Sequence, residues 1–255
     1  MIWSAFKIAF SMYSKIPMPK TDWTKENMKY TMCFFPAVGI AVGILMWLWS
    51  ICAQALHLSE LFRASVYVFI PILITGGIHI DGLVDTFDAI NSYQPIERKL
   101  EILKDSHIGA FALIGGVTYF ILDFGVWSEV NGKAVIILGI GYVLSRALSG
   151  AAIVTFPCAK TSGLVAGFSD AAHKNLVRIV MIIYIIACVI GMIWVDKILG
   201  VTAVVAAFAT FIYYKMMSQK NFNGITGDLA GYFLQLCELI MALAIVFADK
   251  IIVYL

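Results

Sequence analysis

Ala64-Ser65-Val66-Tyr67-Val68-Phe69-Ile70-Pro71-Ile72-Leu73-Ile74-Thr75-Gly76-Gly77-Ile78-His79-Ile80 runs without a charge into Asp81-Gly82-Leu83-Val84-Asp85-Thr86-Phe87-Asp88-Ala89-Ile90-Asn91-Ser92. The first part is apolar enough to enter a bilayer but only just long enough to cross it, since a span needs about 17–25 residues. The second part places Asp81, Asp85 and Asp88 at i, i+4 and i+7, so a helix projects all three carboxylates from one face. Like charges on one stripe repel one another. Their natural counter-charge is a hard divalent cation with oxygen ligands, typically Mg²⁺ holding a substrate phosphate. A solvated acidic face is the alternative. The flanking Gly76, Gly77 and Gly82 and the position at the end of an apolar run favour a functional site.

The rest of the chain has the same character. It is 61% hydrophobic and 13% charged, with a mean hydropathy of +0.90, where a soluble domain carries about 25% charged residues. The composition is that of an integral membrane protein, and an all-α bundle is the expected fold. A net charge of +2 with no basic cluster gives no case for nucleic acid. Cys33, Cys52, Cys158, Cys188 and Cys237 stand singly, mostly in apolar runs, and read as small hydrophobes.

Seven segments are apolar enough to span: about 33–56, 64–80, 108–127, 134–156, 179–195, 198–214 and 232–248. The lengths near 17 residues leave room for one to be re-entrant. With a cytoplasmic N-terminus, thirteen Lys and Arg residues fall in cytoplasmic segments and four outside: Arg63, Lys133, Lys197 and Lys250. Arg146 is left inside a span. This bias predicts seven helices in the cytoplasmic (inner) membrane, N-terminus inside and C-terminus outside. The first fifteen residues have no cleavage site of a signal peptide. Ile2, Trp3, Phe6, Phe10 and Tyr13 form an apolar stripe opposite Ser4, Lys7, Ser11, Ser14 and Lys15, the pattern of an interfacial helix, which Pro17 and Pro19 end. Residues 1–255 read as one membrane-embedded domain.

This topology puts every polar-rich loop on the cytoplasmic side. Lys104-Asp105-Ser106 can cap a helix starting near His107 and can bring Lys104 to a phosphate while Asp105 joins the metal or orients a hydroxyl; the two readings are compatible. Asn223-Gly224-Ile225-Thr226-Gly227-Asp228 contains turn pairs, but it immediately precedes a span carrying an intramembrane acid, Glu238. That acid lies ten residues past Asp228, about 15 Å along a helix, so it supports the site or pairs with a buried cation rather than touching the same metal. Arg146 has Glu238, Asp123 or a substrate phosphate as candidate partners; Asp123 is given no catalytic role. His79 is either an orienting group or a satisfied structural histidine. The 157–178 loop, with Lys160, holds Gly163, Gly167, Asp170 and His173; His57, His107 and His173 carry no ligand spacing.

Three stretches together resemble the cobalamin synthase (adenosylcobinamide-GDP ribazoletransferase) family: Thr75 to Asp88, Leu100-Glu101-Ile102-Leu103-Lys104-Asp105-Ser106-His107-Ile108-Gly109, and Asn223 to Asp228. Ile16-Pro17-Met18-Pro19, Phe35-Pro36-Ala37-Val38-Gly39 and Ser145-Arg146 extend the likeness across nearly the whole chain. The resemblance implies transfer of adenosylcobinamide phosphate from adenosylcobinamide-GDP to α-ribazole or its 5′-phosphate, releasing GMP, in a Mg²⁺-dependent step of vitamin B12 assembly. It further implies that Asp81, Asp85, Asp88 and Asp228 hold the metal. Asp81, Asp85, Lys104 and Asp105 would then serve the chemistry, and His79, Gly82, Ser106, Arg146, Asn223, Gly224, Thr226 and Gly227 would contact substrate. Two departures stand out: Asn223-Gly224 replaces a Gly-Gly pair, and Gln235 stands where the family commonly has a glutamate.

The chemistry fits the residues independently, because phosphoryl transfer needs alignment and charge neutralisation more than covalent apparatus. A CDP-alcohol phosphotransferase wants Asp-Gly-x-x-Ala-Arg, and Asp85-Thr86 occupies the Ala-Arg position here. A secondary transporter predicts repeat halves and mid-membrane acids, whereas these acids cluster at one interface. The oligomeric state, a homo-oligomer included, is left open by the sequence.

Overall fold

The opening stretch breaks at its two glycines. The computed structural model describes residues 1–159, 167, 170 and 172–254; Lys160 and Gly163 lie outside the described residues. Helix α4 (Glu60–Thr75) stops at Gly76 (φ 69°) and Gly77 (φ 82°), both left-handed, a conformation glycine adopts without a Cβ penalty. Helix α5 (Ile78–Asn91) then leaves at 97° to α4. The expected 64–80 span is therefore not one straight rod. Sixteen residues of α4 rise about 24 Å, short of the ~30 Å hydrocarbon core, and the turn carries the aspartate stripe across the end of the bundle.

The other elements are α1 (Ile2–Tyr13), α2 (Lys25–Met28), a 3₁₀ turn (Thr31–Phe34), α3 (Phe35–Ala55), α6 (Ile96–Ile102), α7 (Ala110–Glu129), α8 (Gly132–Thr155), α9 (Lys174–Val195), α10 (Lys197–Phe222) and α11 (Gly227–Tyr254). Among the described residues six helical stretches are long and apolar enough to cross a membrane, and the bent α4–α5 pair makes a seventh candidate. The fold is an all-helical polytopic membrane bundle. The last three helices extend beyond the expected spans because α9, α10 and α11 carry polar residues such as Lys174, Lys215, Lys220 and Asp228 on their ends, where a helix continues past the apolar core.

Helix α8 forms the centre, buried along most of its length and packed on α3, α9 and α11. Its approach to α3 depends on small residues: a Cβ at Gly43 would lie 2.6 Å from the Gly139 carbonyl oxygen, and one at Gly39 would strike Tyr142 backbone. Such close crossings supply van der Waals contact where lipid removes most of the hydrophobic drive between helices. The outer faces are apolar instead of polar; Ile179, Ile183, Ile186 and Ile190 on α9 and Val205 and Ile212 on α10 are all exposed.

Helix α1 packs on the 3₁₀ turn and α3, burying Ala5, Ile8, Ala9, Phe10 and Tyr13 and leaving Ile2 and Trp3 exposed. The expected stripe is thus divided: Phe10 and Tyr13 enter the protein core, and only its first residues are free to face lipid. After α1, the Lys15 N–H donates to the Ile74 carbonyl at 2.7 Å, fixing the chain against the end of α4.

Lys250–Glu129 (2.6 Å) and Lys133–Asp196 (3.5 Å) join helix ends on one face of the bundle. The α5 and α6 helices and the 103–109 and 223–226 connections occupy the opposite face, where Lys99 Nζ donates to Asn221 Oδ1 at 2.9 Å.

Candidate active site

Three sequence-distant motifs meet at that second face, and glycine makes the meeting close. A Cβ on Gly82 would sit 2.6 Å from the Asp228 carbonyl oxygen; one on Gly231 would sit 3.0 Å from the His79 carbonyl oxygen. With no side chain at either position, α5 crosses the first turn of α11 backbone to backbone. Asp81 and Asp85 are thereby brought beside Asp228. The negative charges of Asp81, Asp228 and Asp88 all act on half-buried Asp85, while Asp81 is exposed.

Asp88 has a different occupation. Its Oδ2 accepts from the Gly109 N–H at 2.6 Å and its Oδ1 from the Ala112 N–H at 2.9 Å. A carboxylate on two free N–H groups caps α7 and complements its dipole. The cap expected from Asp105 or Ser106 is thus supplied from another helix, and α7 begins at Ala110. Asp105 instead accepts from the His107 backbone N–H at 3.0 Å and lies 2.7 Å from its ring Nδ1. These hydrogen bonds hold its carboxyl below the usual carboxylate range, which makes it a weaker base than a free aspartate. Lys104, Asp105, Ser106 and His107 are all exposed beside the stripe.

The third motif is a built turn. Asn223 ends α10 in the left-handed region at φ 55°, and Gly224 has φ 149° with the Pro157–Ala159 backbone against it. The Ile225 N–H donates to the Pro157 carbonyl at 2.9 Å, and Ile225 returns its own carbonyl to the Ala159 N–H at 3.0 Å. Thr226 Oγ1 accepts from the Leu229 N–H at 3.2 Å and approaches Asp228 Oδ2 at 3.4 Å, so it caps α11 and aligns Asp228. Asn223 and Gly227 are exposed, whereas Gly224 and Thr226 are buried and shape the turn.

Beneath this face lies a buried polar core. Arg146 is fully buried, and its Nη1 donates to Glu238 Oε1 (2.7 Å) and the Tyr142 carbonyl (2.9 Å), while Ser145 Oγ also donates to Glu238 at 2.7 Å. Of the partners the sequence allowed Arg146, the structure selects Glu238. Arg146 Nε and Nη2 have no hydrogen-bond partner among the described residues. Tyr119 donates to Gln235 Oε1 at 2.7 Å, so the amide that departs from the family pattern accepts a hydroxyl. His79 is buried with Nε2 unpartnered, and the Arg146 charge reaches its ring.

Sequence reasoning did not find the capping role of Asp88, the Tyr119–Gln235 pair, or the contribution of Tyr13, Phe35 and Ser149 to the walls beside His79. Nothing local marks them; the single hint for Asp88 is Gly109, whose Cβ would collide with its carboxylate.

Among the described residues no three His, Cys, Asp or Glu side chains gather closely enough to form a metal cage. The donor set nonetheless suits a hard cation, because Asp81, Asp85 and Asp228 offer oxygen only. A Mg²⁺ site commonly uses one or two carboxylates, waters and substrate phosphates rather than an all-protein cage. The arrangement defines a helical membrane protein with an acidic mouth at one end.

The sequence model described as cobalamin-5-phosphate synthase matches residues 5–246. The adenosylcobinamide-GDP ribazoletransferase of Lachnoclostridium phytofermentans is 51% identical over 97% of this chain and 95% of its own. That of Clostridium perfringens is 31% identical over 92% and 94%, and that of Fusobacterium nucleatum 29% over 92% and 94%. The chain belongs to the cobalamin-5-phosphate synthase family. No solved structure matches it.

Proposed function

We propose that this protein is an adenosylcobinamide-GDP ribazoletransferase of the cytoplasmic membrane, with its acidic mouth facing the cytoplasm. Family membership supports the reaction, and one structural observation carries the site: Gly82 lies on Asp228 and Asp88 on Gly109, so the three motifs form one mouth. A ribose hydroxyl of α-ribazole, or of its 5′-phosphate, attacks the phosphorus next to the corrinoid's aminopropanol arm. The new O–P bond forms as the bridging P–O bond breaks, GMP leaves with that bridging oxygen, and the hydroxyl proton passes to a base. A product that retains the 5′-phosphate requires a ribose hydroxyl as the nucleophile.

Asp81, Asp85 and Asp228 would hold Mg²⁺, which supplies charge neutralisation on the diphosphate when bound. Asp88 holds α7 and the Lys104 loop against the stripe. Exposed Lys104 meets the departing phosphate. An aspartate of the stripe serves as base in preference to Asp105, whose charge is already engaged by His107.

The test is purified protein in nanodiscs given radiolabelled adenosylcobinamide-GDP and α-ribazole. Equimolar GMP and cobalamin, abolished by excess EDTA and restored by Mg²⁺, are expected. Absence of cobalamin from folded protein overturns the transferase reading, and full turnover without divalent metal overturns the metal.

A further inference from the structure

Beside Asp81 and Asp228 a cavity of about 110 Å³ runs inward between α1, the start of α3, α5, α8 and α11. Tyr13 and Phe35 wall it on one side, their ring centroids 4.3 Å apart, with Ile153 and Leu234 also in the lining. His79 lies 6.4 Å from the Tyr13 ring and 6.1 Å from the Phe35 ring. Two lining residues, His79 and Ser149, are only 4% and 1% exposed, and their Nε2 and Oγ have no hydrogen-bond partner among the described residues. Buried polar groups are nearly always satisfied, so two on one cavity wall point to a ligand that completes them.

The chemistry of the lining selects that ligand. Apart from its mouth, His79 and Ser149, the wall is apolar and aromatic, and among the described residues no lysine or arginine lines it. Past the mouth, the described lining offers a phosphate no cationic side chain. A corrin is far too large, since a cavity of ~150 Å³ accepts a single benzene ring. What fits is the leading edge of a flat aromatic ring system bearing a polar ring atom, stacked or edge-on against Tyr13, Phe35 and His79.

Building on the transferase reading, we propose that this cavity is the acceptor-base subsite, receiving the heteroaromatic base of α-ribazole. The ring nitrogen that carries no sugar accepts from His79 Nε2, Ser149 Oγ meets the polar edge, and the ribose is left at the mouth between Asp81 and Asp228. A nucleophilic hydroxyl is thereby delivered to the carboxylates that handle the phosphates.

The experiment measures acceptor and donor KM separately, together with equilibrium dialysis of α-ribazole against protein without donor, for wild type, Ile153→Phe and Ser149→Ala, with thermal melting as the check on folding. Ile153→Phe fills the cavity; as a methylene-scale change in an apolar pocket is worth roughly 10-fold or more, acceptor KM and Kd should both rise by at least about that factor while donor KM stays unchanged. Ser149→Ala adds no volume and should raise acceptor KM several-fold with kcat retained; it decides the matter if Ile153→Phe does not fold. Unchanged acceptor binding in the folded variants, or a rise confined to donor KM, overturns the subsite while wild-type turnover leaves the transferase reading intact. Wild-type protein that forms no cobalamin overturns that reading, and the proposal falls with it.

Discussion

Gly82 rests directly on the backbone of Asp228, with no room for a Cβ between them. This contact joins the aspartate stripe on α5 to the first turn of α11. Replacing Gly82 with alanine forces backbone apart, because the obstructing atoms are main chain and not the end of a flexible side chain. Overpacking of this kind costs about 1–3 kcal/mol. Gly82→Ala should therefore melt several degrees lower in nanodiscs and lose most of its GMP release; unchanged turnover would show that the Asp85–Asp228 approach is not required.

Asp85→Asn keeps the size of the side chain and removes a charge on which three other carboxylates act. Turnover should fall on the order of 10²-fold, while the metal-free protein melts higher because repulsion is relieved. Asp170→Asn, at an exposed residue outside the three motifs, should leave turnover near wild type. Steady-state rates at limiting Mg²⁺ and melting in EDTA check both halves; a near-normal rate for Asp85→Asn would place the active site elsewhere.

Asp88→Ala deletes the hydrogen bonds to Gly109 and Ala112. Loss of a helix cap costs about 0.5–2 kcal/mol, so this variant should lose stability where Asp85→Asn gains it. Hydrogen exchange should accelerate at the start of α7. A stability change of the same sign in both variants would contradict the division of labour within the stripe.

Arg146 and Glu238 are a buried pair at 2.7 Å. Removing one partner strands a charge and costs about 3–5 kcal/mol, whereas replacing both with apolar residues is often neutral. Arg146→Met and Glu238→Leu should each melt far below wild type, and the double variant should recover most of the loss. A double-mutant cycle without coupling would rule out the pair as a structural unit.

By the positive-inside rule, the thirteen-to-four distribution of Lys and Arg predicts that the acidic mouth faces the cytoplasm. In a cysteine-free background, Ser106→Cys and Asn131→Cys are both at exposed positions. A membrane-impermeant maleimide added to intact cells should label Asn131→Cys and spare Ser106→Cys; the reverse pattern would invert the orientation.

By itself the sequence determined that the chain is a helical membrane protein and that α5 carries Asp81, Asp85 and Asp88 at helical spacing, and it marked three motifs that the fold brings to one end. Those features follow from local physics: apolar runs partition into lipid, helical periodicity aligns residues four and seven apart, and paired glycines permit a left-handed turn. The tertiary structure decided how the motifs divide their work. Asp81, Asp85 and Asp88 look equivalent at i, i+4 and i+7, yet Asp88 meets the free N–H groups of α7 while Asp85 stays half-buried within the field of the Asp81, Asp228 and Asp88 charges. Arg146 had three candidate partners by sequence, and the packing of α8 on α11 selected Glu238. The walls beside His79 draw Tyr13, Phe35, Ser149 and Leu234 from four helices. A hydrogen bond or a cavity is set by which helices cross and how closely, and spacing along one helix carries no record of that.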